Sequence, residues 1–433
     1  MTVRIDVLAT QTGPDSWLEM LVGLSRRPPA PGRPPSPYQI SYRFRAGAAA
    51  PETHGTLGVV WVPVEPGSWT SVVVNPQADI SALWPDIASA DNSFSQLWLG
   101  ATSRNGAPAG GYFDYLTFQR ADVGNAVLGN QRDLMTGLRT KYPGIVQMQG
   151  LEVSYFSQHL NWYGGGPAVF DSSTWTKVKP HSKVDPYVLA AQQAGMIHNG
   201  GGLASLNHPF GTGFGTAASA ATRHTVVAGL LAARPALDMI EVGYAARGAD
   251  LRGHLDLWDT LLRNGLFLPG IGVSDDHQGE HGTWTRTKNR FATCAWTTGL
   301  DEMSLVTAIA GGRTYCRELG TTPTLDLSAA GGSVRMGEVL VDGTDPSIDL
   351  RILATGLPSA GAVRVVQGAV EFGSTALDPS SATTQMIPAG SFSSGEVTAS
   401  LDNSRSSFAR VEVIDEAGRC IAFSNPVWLL RPS

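Results

Sequence analysis

Five side chains that can bind a metal follow strand-like segments in the middle of the chain. Glu152, His208 and Asp275 each end or directly follow a separate apolar run. His277 and His159 lie close to them, two residues after Asp275 and seven residues after Glu152. Together they offer three imidazoles and two carboxylates, and such a mixed set of nitrogen and oxygen ligands suits Zn, Mn or Fe better than Mg or Ca. The five residues are therefore candidates for a divalent-metal site.

A metal bound at these residues would supply hydrolytic chemistry. It would polarise a scissile oxygen and lower the pKa of bound water to about 7, so that hydroxide forms at neutral pH. The candidate catalytic residues are His208, Asp275 and His277. The candidates for substrate binding are Asn207, Glu280, His281 and Arg313, the last through an anionic group of the substrate. Structural interpretations stay open for single residues, such as a cap at Asp275 or a surface ion pair at Arg313.

The segment 121–322 predicts the elements that would position this site. Apolar strand-like runs alternate there with helical stretches, which is typical of βαβ units and predicts a parallel sheet or barrel. The carboxyl ends of parallel strands share one face, which would bring side chains from separate strands together. The predicted strands are 145–153, 202–206, 239–242 and 267–273, and the predicted helices begin at 186, 218, 255 and about 301.

Two β-rich regions flank this segment. Residues 1–120 contain short runs rich in β-branched and aromatic residues between Gly, Pro, Asn and Asp, which predict an antiparallel β-sandwich. Residues 323–433 alternate apolar with polar residues and predict a second β-sandwich. The predicted fold class is thus α/β with all-β flanking domains, divided at 1–120, 121–322 and 323–433. The strands predicted in the first region are 38–44, 57–62, 69–74, 94–99 and 112–118.

Composition narrows the classes of partner. The chain has 433 residues, with 31 Lys and Arg against 37 Asp and Glu, a net charge of −6. A mild acidic excess without a basic block argues against nucleic acid or an anionic membrane as the partner. No apolar run reaches the roughly 18 residues of a membrane span. The N-terminus lacks the layout of a signal peptide, so we expect a cytoplasmic protein or a processed secreted form. The three cysteines include no C-x-x-C, and no cysteine zinc site is predicted.

The middle of the chain resembles the polymerase and histidinol phosphatase (PHP) domain superfamily of metal-dependent hydrolases, in the branch that includes carbamate-ester hydrolases. The matching stretches run in order from about 145 to 320. They are Gly150-Leu151-Glu152-Val153-Ser154 with His159, Gly201-Gly202-Leu203 through Asn207-His208-Pro209, Ile240-Glu241-Val242, the segment Trp258–Gly265, Ser274-Asp275-Asp276-His277 and Gly312-Arg313-Thr314-Tyr315. The tail Phe423-Ser424-Asn425-Pro426 resembles the end of the β domain that often follows.

The resemblance implies a distorted (β/α) barrel that holds one to three divalent ions. By the resemblance, the ligands would be Glu152, His159, His208, Asp275 and His277. The family opens with a His-x-His strand and then a Thr-Asp-His strand, and this chain has no His-x-His. Either those units were lost, or another chain or a second copy of this chain supplies them, or the sequence begins late. The expectation is an incomplete or distorted barrel between two β-sandwiches.

Three functions are compatible with these features. The leading hypothesis is a phosphoesterase-like, metal-dependent hydrolase in which metal-bound hydroxide attacks a phosphoester or a carboxylic or carbamate ester. The second is a non-catalytic glycan-binding protein on a degenerate PHP scaffold, because the N-terminal region, through 103–111 and Phe113-Asp114-Tyr115-Leu116, is similar to jelly-roll modules of the carbohydrate-binding type. The third is a glycoside-cleaving enzyme that uses Glu152 with Asp275 or Asp276, a pair that retaining enzymes hold about 5–5.5 Å apart. The expected partner is a small-molecule ester or a glycan.

Overall fold

The computed structural model of the chain describes most of its residues, and they form two compact units, 1–123 and 124–433. The described residues are 2–25, 37–87, 94–119, 125–154, 158–168, 186–211, 219–243, 250–275 and 291–432. Both units are built largely from β-strands. No helix within these described ranges has the length and apolar character needed to cross a membrane.

The N-terminal unit contains two sheets around one apolar core. Its elements are β1 (Thr2–Gln11), β2 (Ser16–Leu24), β3 (Gln39–Arg45), β4 (Glu52–His54), β5 (Leu57–Pro63), β6 (Trp69–Val74), α1 (Pro76–Leu83), β7 (Phe94–Ser103) and β8 (Gly110–Gln119). One sheet has the order β6-β1-β8 and the other β4-β5-β3-β2-β7. Val3, Ile5 and Val7 alternate with more exposed residues along β1 and are fully buried. They share their core with Leu18 and Met20 of β2, so the core lies between the two sheets.

This unit is β-rich, as predicted, but its strands are not all antiparallel. β3 and β5 run parallel, with Gln39 opposite Leu57. A parallel pair cannot be joined by a tight turn and needs a crossover. The connection here is 46–56, which includes β4. The prediction of an antiparallel arrangement throughout is therefore wrong at this pair.

An open five-stranded sheet lies in the middle of the second unit. Its strands are β9 (Gly150–Val153), β10 (Leu160–Tyr163), β11 (Leu203–Leu206), β12 (Met239–Gly243) and β13 (Gly270–Gly272). They lie in the order β13-β12-β11-β10-β9. β10 is antiparallel to both of its neighbours, whereas β11, β12 and β13 are parallel. Every strand except β10 therefore points in the same direction.

This sheet overturns the predicted fold class. A (β/α) barrel requires parallel strands that are each followed by a helix and that close on themselves. Here β9 pairs directly with the antiparallel β10, and among the residues that the structure describes the sheet ends at β9 on one side and at β13 on the other. The described residues form several separate sheets and six α-helices. The chain is mostly β, and the barrel prediction, incomplete or distorted, is wrong.

Helices cover one face of the five-stranded sheet. The helices of this unit are α2 (Asn125–Lys141), α3 (Pro186–Asn199), α4 (Ala220–Ala233), α5 (Leu251–Arg263) and α6 (Glu302–Ala310). α3 packs on β10 and β11, and α5 packs on β12. Trp162, Leu206 and Ile240 enter the core that these helices share. Because successive side chains of a strand point to opposite faces, Ser205 and Glu241 point away from the helices. The sheet therefore has one apolar and one polar face.

Helix starts in this unit follow from local capping. α4, α5 and α6 are preceded by Ser219, Asp250 and Asp301. The side chain of each accepts a hydrogen bond from the amide three residues later. An N-cap of this kind satisfies one of the amides that a helix leaves unpaired at its start. The helices predicted at 218 and 301 are confirmed within two residues, and the one predicted at 255 begins at 251.

Replacing Gly229 with alanine is expected to destabilise the protein, although the change normally stabilises a helix interior by up to about 1 kcal/mol. The alanine Cβ would overlap Cδ2 of Tyr187 on α3, so the helices must move apart. We expect a cost of about 1–3 kcal/mol. Gly195 of α3 is the matched control, because its added Cβ would meet no described atom within 4 Å. Urea denaturation should show that Gly195→Ala raises the free energy of unfolding and that Gly229→Ala lowers it. Changes of the same sign in the two variants would contradict this helix packing.

Two further sheets form the C-terminal part of the second unit. Their strands are β14 (Phe291–Ala295), β15 (Thr314–Glu318), β16 (Thr324–Ala329), β17 (Val334–Arg335), β18 (Val339–Val341), β19 (Ser347–Thr355), β20 (Ala362–Ala369), β21 (Ala382–Pro388), β22 (Glu396–Asp402), β23 (Ser407–Ile414), β24 (Cys420–Ser424) and β25 (Val427–Leu430). An eight-stranded sheet follows the path β14-β15-β24-β23-β20-β21 with β18 and β25 attached, and a four-stranded sheet has the order β17-β16-β19-β22. Leu350 of the four-stranded sheet and Val411 of the eight-stranded sheet belong to the same core.

The five-stranded sheet and the eight-stranded sheet are joined by hydrogen bonds. Oδ1 of Asn425 accepts from the amide of Gly270 at 2.7 Å, and its Nδ2 donates to the carbonyl oxygens of Gly270 and Thr314. The asparagine of the tail stretch 423–426 thus links β13 to β15. Since β14 and β15 belong to the eight-stranded sheet, that sheet spans the boundary predicted between 322 and 323, and the division into three domains stays a prediction.

Candidate metal centre

Strand direction brings several of the predicted site residues to one edge of the five-stranded sheet. Glu152 lies near the end of β9, Asn207 and His208 follow β11, and Asp275 follows β13. These strands run in the same direction, so their carboxyl ends lie at the same edge. β10 runs the opposite way, and His159, which directly precedes it, therefore starts from that edge too.

Glu152, His159 and His208 form a compact cluster. One ligand atom of each lies within 4.8 Å of those of the other two. Oε1 of Glu152 lies 3.0 Å from Nδ1 of His159 and 3.5 Å from Nε2 of His208. The two imidazole rings meet edge to face, with their centroids 4.8 Å apart. The carboxylate of Glu152 is therefore within reach of both rings.

Asn207 ties two members of the cluster together. Its side-chain Nδ2 donates a hydrogen bond to Oε1 of Glu152 at 3.3 Å. Its backbone N–H donates to the carbonyl oxygen of His159 at 3.0 Å. The second bond continues the antiparallel register in which Leu160 lies opposite Leu206. The arrangement of the cluster thus follows from the pairing of β10 with β11.

The backbone of His208 is held in an uncommon conformation. Its φ angle is +25°, in the left-handed region that costs a non-glycine residue free energy. Its amide donates a hydrogen bond of 2.6 Å to Oε2 of Glu241. Both His208 and Glu241 are only 3% exposed. Glu241 therefore fixes the backbone from which the imidazole of His208 extends.

Electrostatics keep Glu152 ionised. Its carboxyl pKa is lowered to about 2, chiefly by the hydrogen bond with His208. Burial works in the opposite direction, and interactions with Asn207 and His159 add to the lowering. The ionised carboxylate is the form that binds a metal. On the same polar face, burial and the charge of Glu241 raise the pKa of Tyr163 to about 12, so its phenol stays protonated.

The cluster fits a divalent metal by donor type and spacing. Two imidazoles and one carboxylate occur as the protein ligands of catalytic zinc and of non-haem iron. Ligand atoms around tetrahedral zinc stand roughly 3.3 Å apart, given metal–ligand distances of about 2.0–2.1 Å. The separations of 3.0 and 3.5 Å from Glu152 bracket that value. Nδ1 of His208 is buried and has no hydrogen-bond partner among the described residues, so one nitrogen of this ring makes no hydrogen bond to them. These three residues could hold a metal ion.

A cleft of about 300 Å³ lies beside the cluster on the polar face of the sheet. Its lining combines carboxylates, amides and a phenol, and the described part of the lining includes no Lys or Arg. The residues that line it are Glu152, Asn161, Tyr163, Asn207, Glu241, Gly272, Val273, Ser274 and Asp275. Glu152 belongs to both the cluster and the lining, whereas His159 and His208 do not line the cleft, so the cleft adjoins the cluster through Glu152.

The other predicted site residues have different positions. Asp275 lines the cleft, with a φ angle of +52°, but does not belong to the three-residue cluster. Both guanidinium Nη atoms of Arg313 donate to the carboxylate of Asp326, at 2.9 and 3.2 Å, and Arg313 does not line the cleft. Asp276, His277, Glu280 and His281 lie outside the described residues.

Sequence reasoning missed three residues of the cleft as functional candidates. Asn161 and Tyr163 of β10 and Glu241 of β12 all line it. The signal that could have found them is alternation, because Asn161 and Glu241 each sit between two apolar residues of the core that the helices share, and Tyr163 directly follows Trp162 of that core. A polar residue at every second position of a strand marks a face that the core does not cover.

No protein-family model, no curated protein and no solved structure matches this chain.

Proposed function

We propose that this chain is a metal-dependent hydrolase whose reaction takes place in the cleft beside Glu152. The observation that carries the proposal is the cluster of Glu152, His159 and His208, which gathers metal-ligating side chains from separate strands around one point. The resemblance of the middle of the chain to PHP hydrolases points the same way. The proposed metal is Zn, Mn or Fe, and the proposed substrates are small phosphoesters or carboxylic or carbamate esters.

A cluster of three ligands beside a cleft favours a catalytic metal over a structural one. Structural zinc is closed off by four protein ligands, whereas catalytic zinc has three and keeps a position for water or substrate. Because Glu152 lines the cleft, water or substrate in the cleft could reach the open coordination position of the metal. A metal held there would polarise a substrate oxygen and lower the pKa of water to about 7.

Residues of the cleft walls would position the substrate and move protons. Tyr163 accepts a hydrogen bond from Nδ2 of Asn161 at 3.1 Å, and its pKa of about 12 keeps it protonated. Its hydroxyl can therefore donate a hydrogen bond to a substrate oxygen. Asp275 lines the cleft, and its carboxylate is the group that we assign to accept a proton from the attacking water.

Hydrolysis of chromogenic substrates tests the proposal. We expect the full chain to be inactive after treatment with EDTA, and to hydrolyse p-nitrophenyl acetate or a p-nitrophenyl phosphoester once Zn²⁺, Mn²⁺ or Fe²⁺ is restored. His159→Ala should lower kcat/KM at least about a hundredfold, because a metal held by two ligands is bound far more weakly. His54→Ala is the matched control, since this side chain is 60% exposed and belongs to the N-terminal unit.

Two outcomes would count against the hydrolase. One is the lack of hydrolysis with every metal supplied. The other is cleavage of p-nitrophenyl glycosides that resists EDTA and disappears in Glu152→Gln, which would support the predicted alternative that pairs Glu152 with Asp275 or Asp276.

A further inference from the structure

The outward face of the sheet β6-β1-β8 carries exposed aromatic side chains. The register places Trp69 and Tyr112 on either side of Leu8, in one row across the three strands. Trp69 is 53% exposed, Tyr112 63% and Tyr115, further along β8, 60%. We call this surface, formed by Trp69, Leu8, Tyr112 and Tyr115, the aromatic face. Exposed apolar side chains gathered on one surface mark an interaction site more often than those scattered singly.

Tyr115 reaches the aromatic face through a β-bulge. The pairing of β8 with β1 shifts between Arg4 and Asp6, so that two residues of β8 oppose one of β1. Tyr115 has a φ angle of +50° and lies under the guanidinium of Arg4, 5.4 Å from its ring centroid. Glycine is the usual residue at a left-handed bulge position, and a bulky residue there is an outlier. The chain keeps an aromatic ring where glycine would serve the fold better.

A second unfavourable feature lies on the same side of this sheet. Asp6 and Asp114 are directly opposite each other on β1 and β8. Like charges in this position destabilise a sheet. Oδ1 of Asp6 has no hydrogen-bond partner among the described residues, although it is buried. Two carboxylates are thus placed next to the aromatic rings at a cost to folding, and such local violations concentrate at functional sites.

We propose that the aromatic face binds a carbohydrate chain. The flat faces of Trp and Tyr rings suit the C–H faces of sugar rings, and carboxylates accept hydrogen bonds from sugar hydroxyl groups. Trp69 and Tyr112 stand two strands apart, roughly 10 Å, so one short chain of sugars can contact both.

The charges of this face argue against two other classes of partner, anionic membranes and nucleic acids. The carboxylates of Asp6 and Asp114 lie in the row next to Trp69 and Tyr112, and one arginine, Arg4, lies beside them. An anionic membrane or a nucleic acid requires a basic surface. A neutral ligand rich in hydroxyl groups fits this combination of aromatic rings and acceptors.

Calorimetric titration of the full chain with oligosaccharides tests the proposal. The probes are hexasaccharides of β-1,4-glucose, β-1,3-glucose, xylose, mannose and N-acetylglucosamine, with EDTA present so that a metal in the cleft plays no part. We expect saturable binding of at least one probe. Trp69→Ala and Tyr112→Ala should weaken it at least tenfold. Trp98→Ala is the matched control, because this tryptophan is 42% exposed on β7 of the other sheet, and should leave binding unchanged.

Tyr115→Gly separates binding from folding. The glycine accepts the positive φ angle, so the unfolding temperature should stay the same or rise, while the affinity for the bound oligosaccharide falls at least tenfold. The proposal is overturned if no probe binds at millimolar concentration, as expected of a face that docks a protein. It is also overturned if Trp69→Ala and Tyr112→Ala bind as well as the unmodified chain. Neither result depends on hydrolase activity.

Discussion

His208→Ala is expected to lower the affinity of the chain for Zn²⁺ by at least about a hundredfold. Replacing residues that merely orient metal ligands typically costs 10–100-fold in affinity, and the loss of a ligand should cost more. His208 is 3% exposed, and its Nε2 lies 3.5 Å from the Glu152 carboxylate. Competition with a zinc-sensitive dye measures the affinity, and His54→Ala should match the unmodified chain. Equal affinities for His208→Ala and the unmodified chain would contradict the assignment.

Glu241 provides a finer version of this test. Its carboxylate accepts the amide hydrogen of His208 and has no place among the three ligands. Glu241→Leu removes the acceptor and should weaken Zn²⁺ binding about 10–100-fold. Glu241→Gln keeps an oxygen that can accept this hydrogen bond, so its affinity should lie closer to that of the unmodified chain. Equal effects of the two variants would show that Glu241 does not act through His208.

Arg410→Met is expected to destabilise the second unit by about 3–5 kcal/mol, the largest stability effect that we expect from a single substitution. Arg410 on β23 and Asp259 on α5 are both fully buried. Nε and Nη2 of Arg410 each donate to the Asp259 carboxylate at 2.8 Å, and Nη1 donates to Glu412 at 2.7 Å. Methionine would leave the charge of Asp259 buried without this partner.

Urea denaturation with a double variant separates charge from packing. Arg410→Met combined with Asp259→Leu removes both charges of the pair, so it should recover much of the lost stability. Glu412 keeps contacts with Arg252 and Arg364 at 3.2 Å in that variant. The matched control is Arg351→Met, because Arg351 and its partner Glu396 are half-exposed and such pairs contribute little. A loss as large in Arg351→Met, or no recovery in the double variant, would contradict this explanation.

The position of the candidate site could be predicted from sequence because it depends on strand ends. Glu152 and His208 each end or follow an apolar run, and these runs become β9 and β11, two strands of one sheet that run in the same direction and so place both residues at one edge. Which residues make contact could not be predicted in the same way. His159 joins the cluster because β10 is antiparallel to β9 and β11, and a strand of four residues carries no local pattern that fixes its direction.

The barrel prediction failed for the same reason. The alternation of strands and helices in the middle of the chain is real, but closure depends on long-range pairing, and β9 with β10 interrupts the parallel order. In the N-terminal unit the signal was present and was missed. Val3, Ile5 and Val7 alternate with polar residues along β1, the pattern of a strand with one buried face, whereas the predicted strands begin at 38.

Crystallographic location of a bound metal tests the central claim most directly. Crystals grown with Zn²⁺ should show one anomalous peak at about 2.0–2.2 Å from ligand atoms of Glu152, His159 and His208, facing the cleft that Asp275 and Tyr163 line. A peak elsewhere in the chain, or no peak while Glu152 and His159 keep their direct hydrogen bond, would contradict the metal centre and the hydrolase proposed from it.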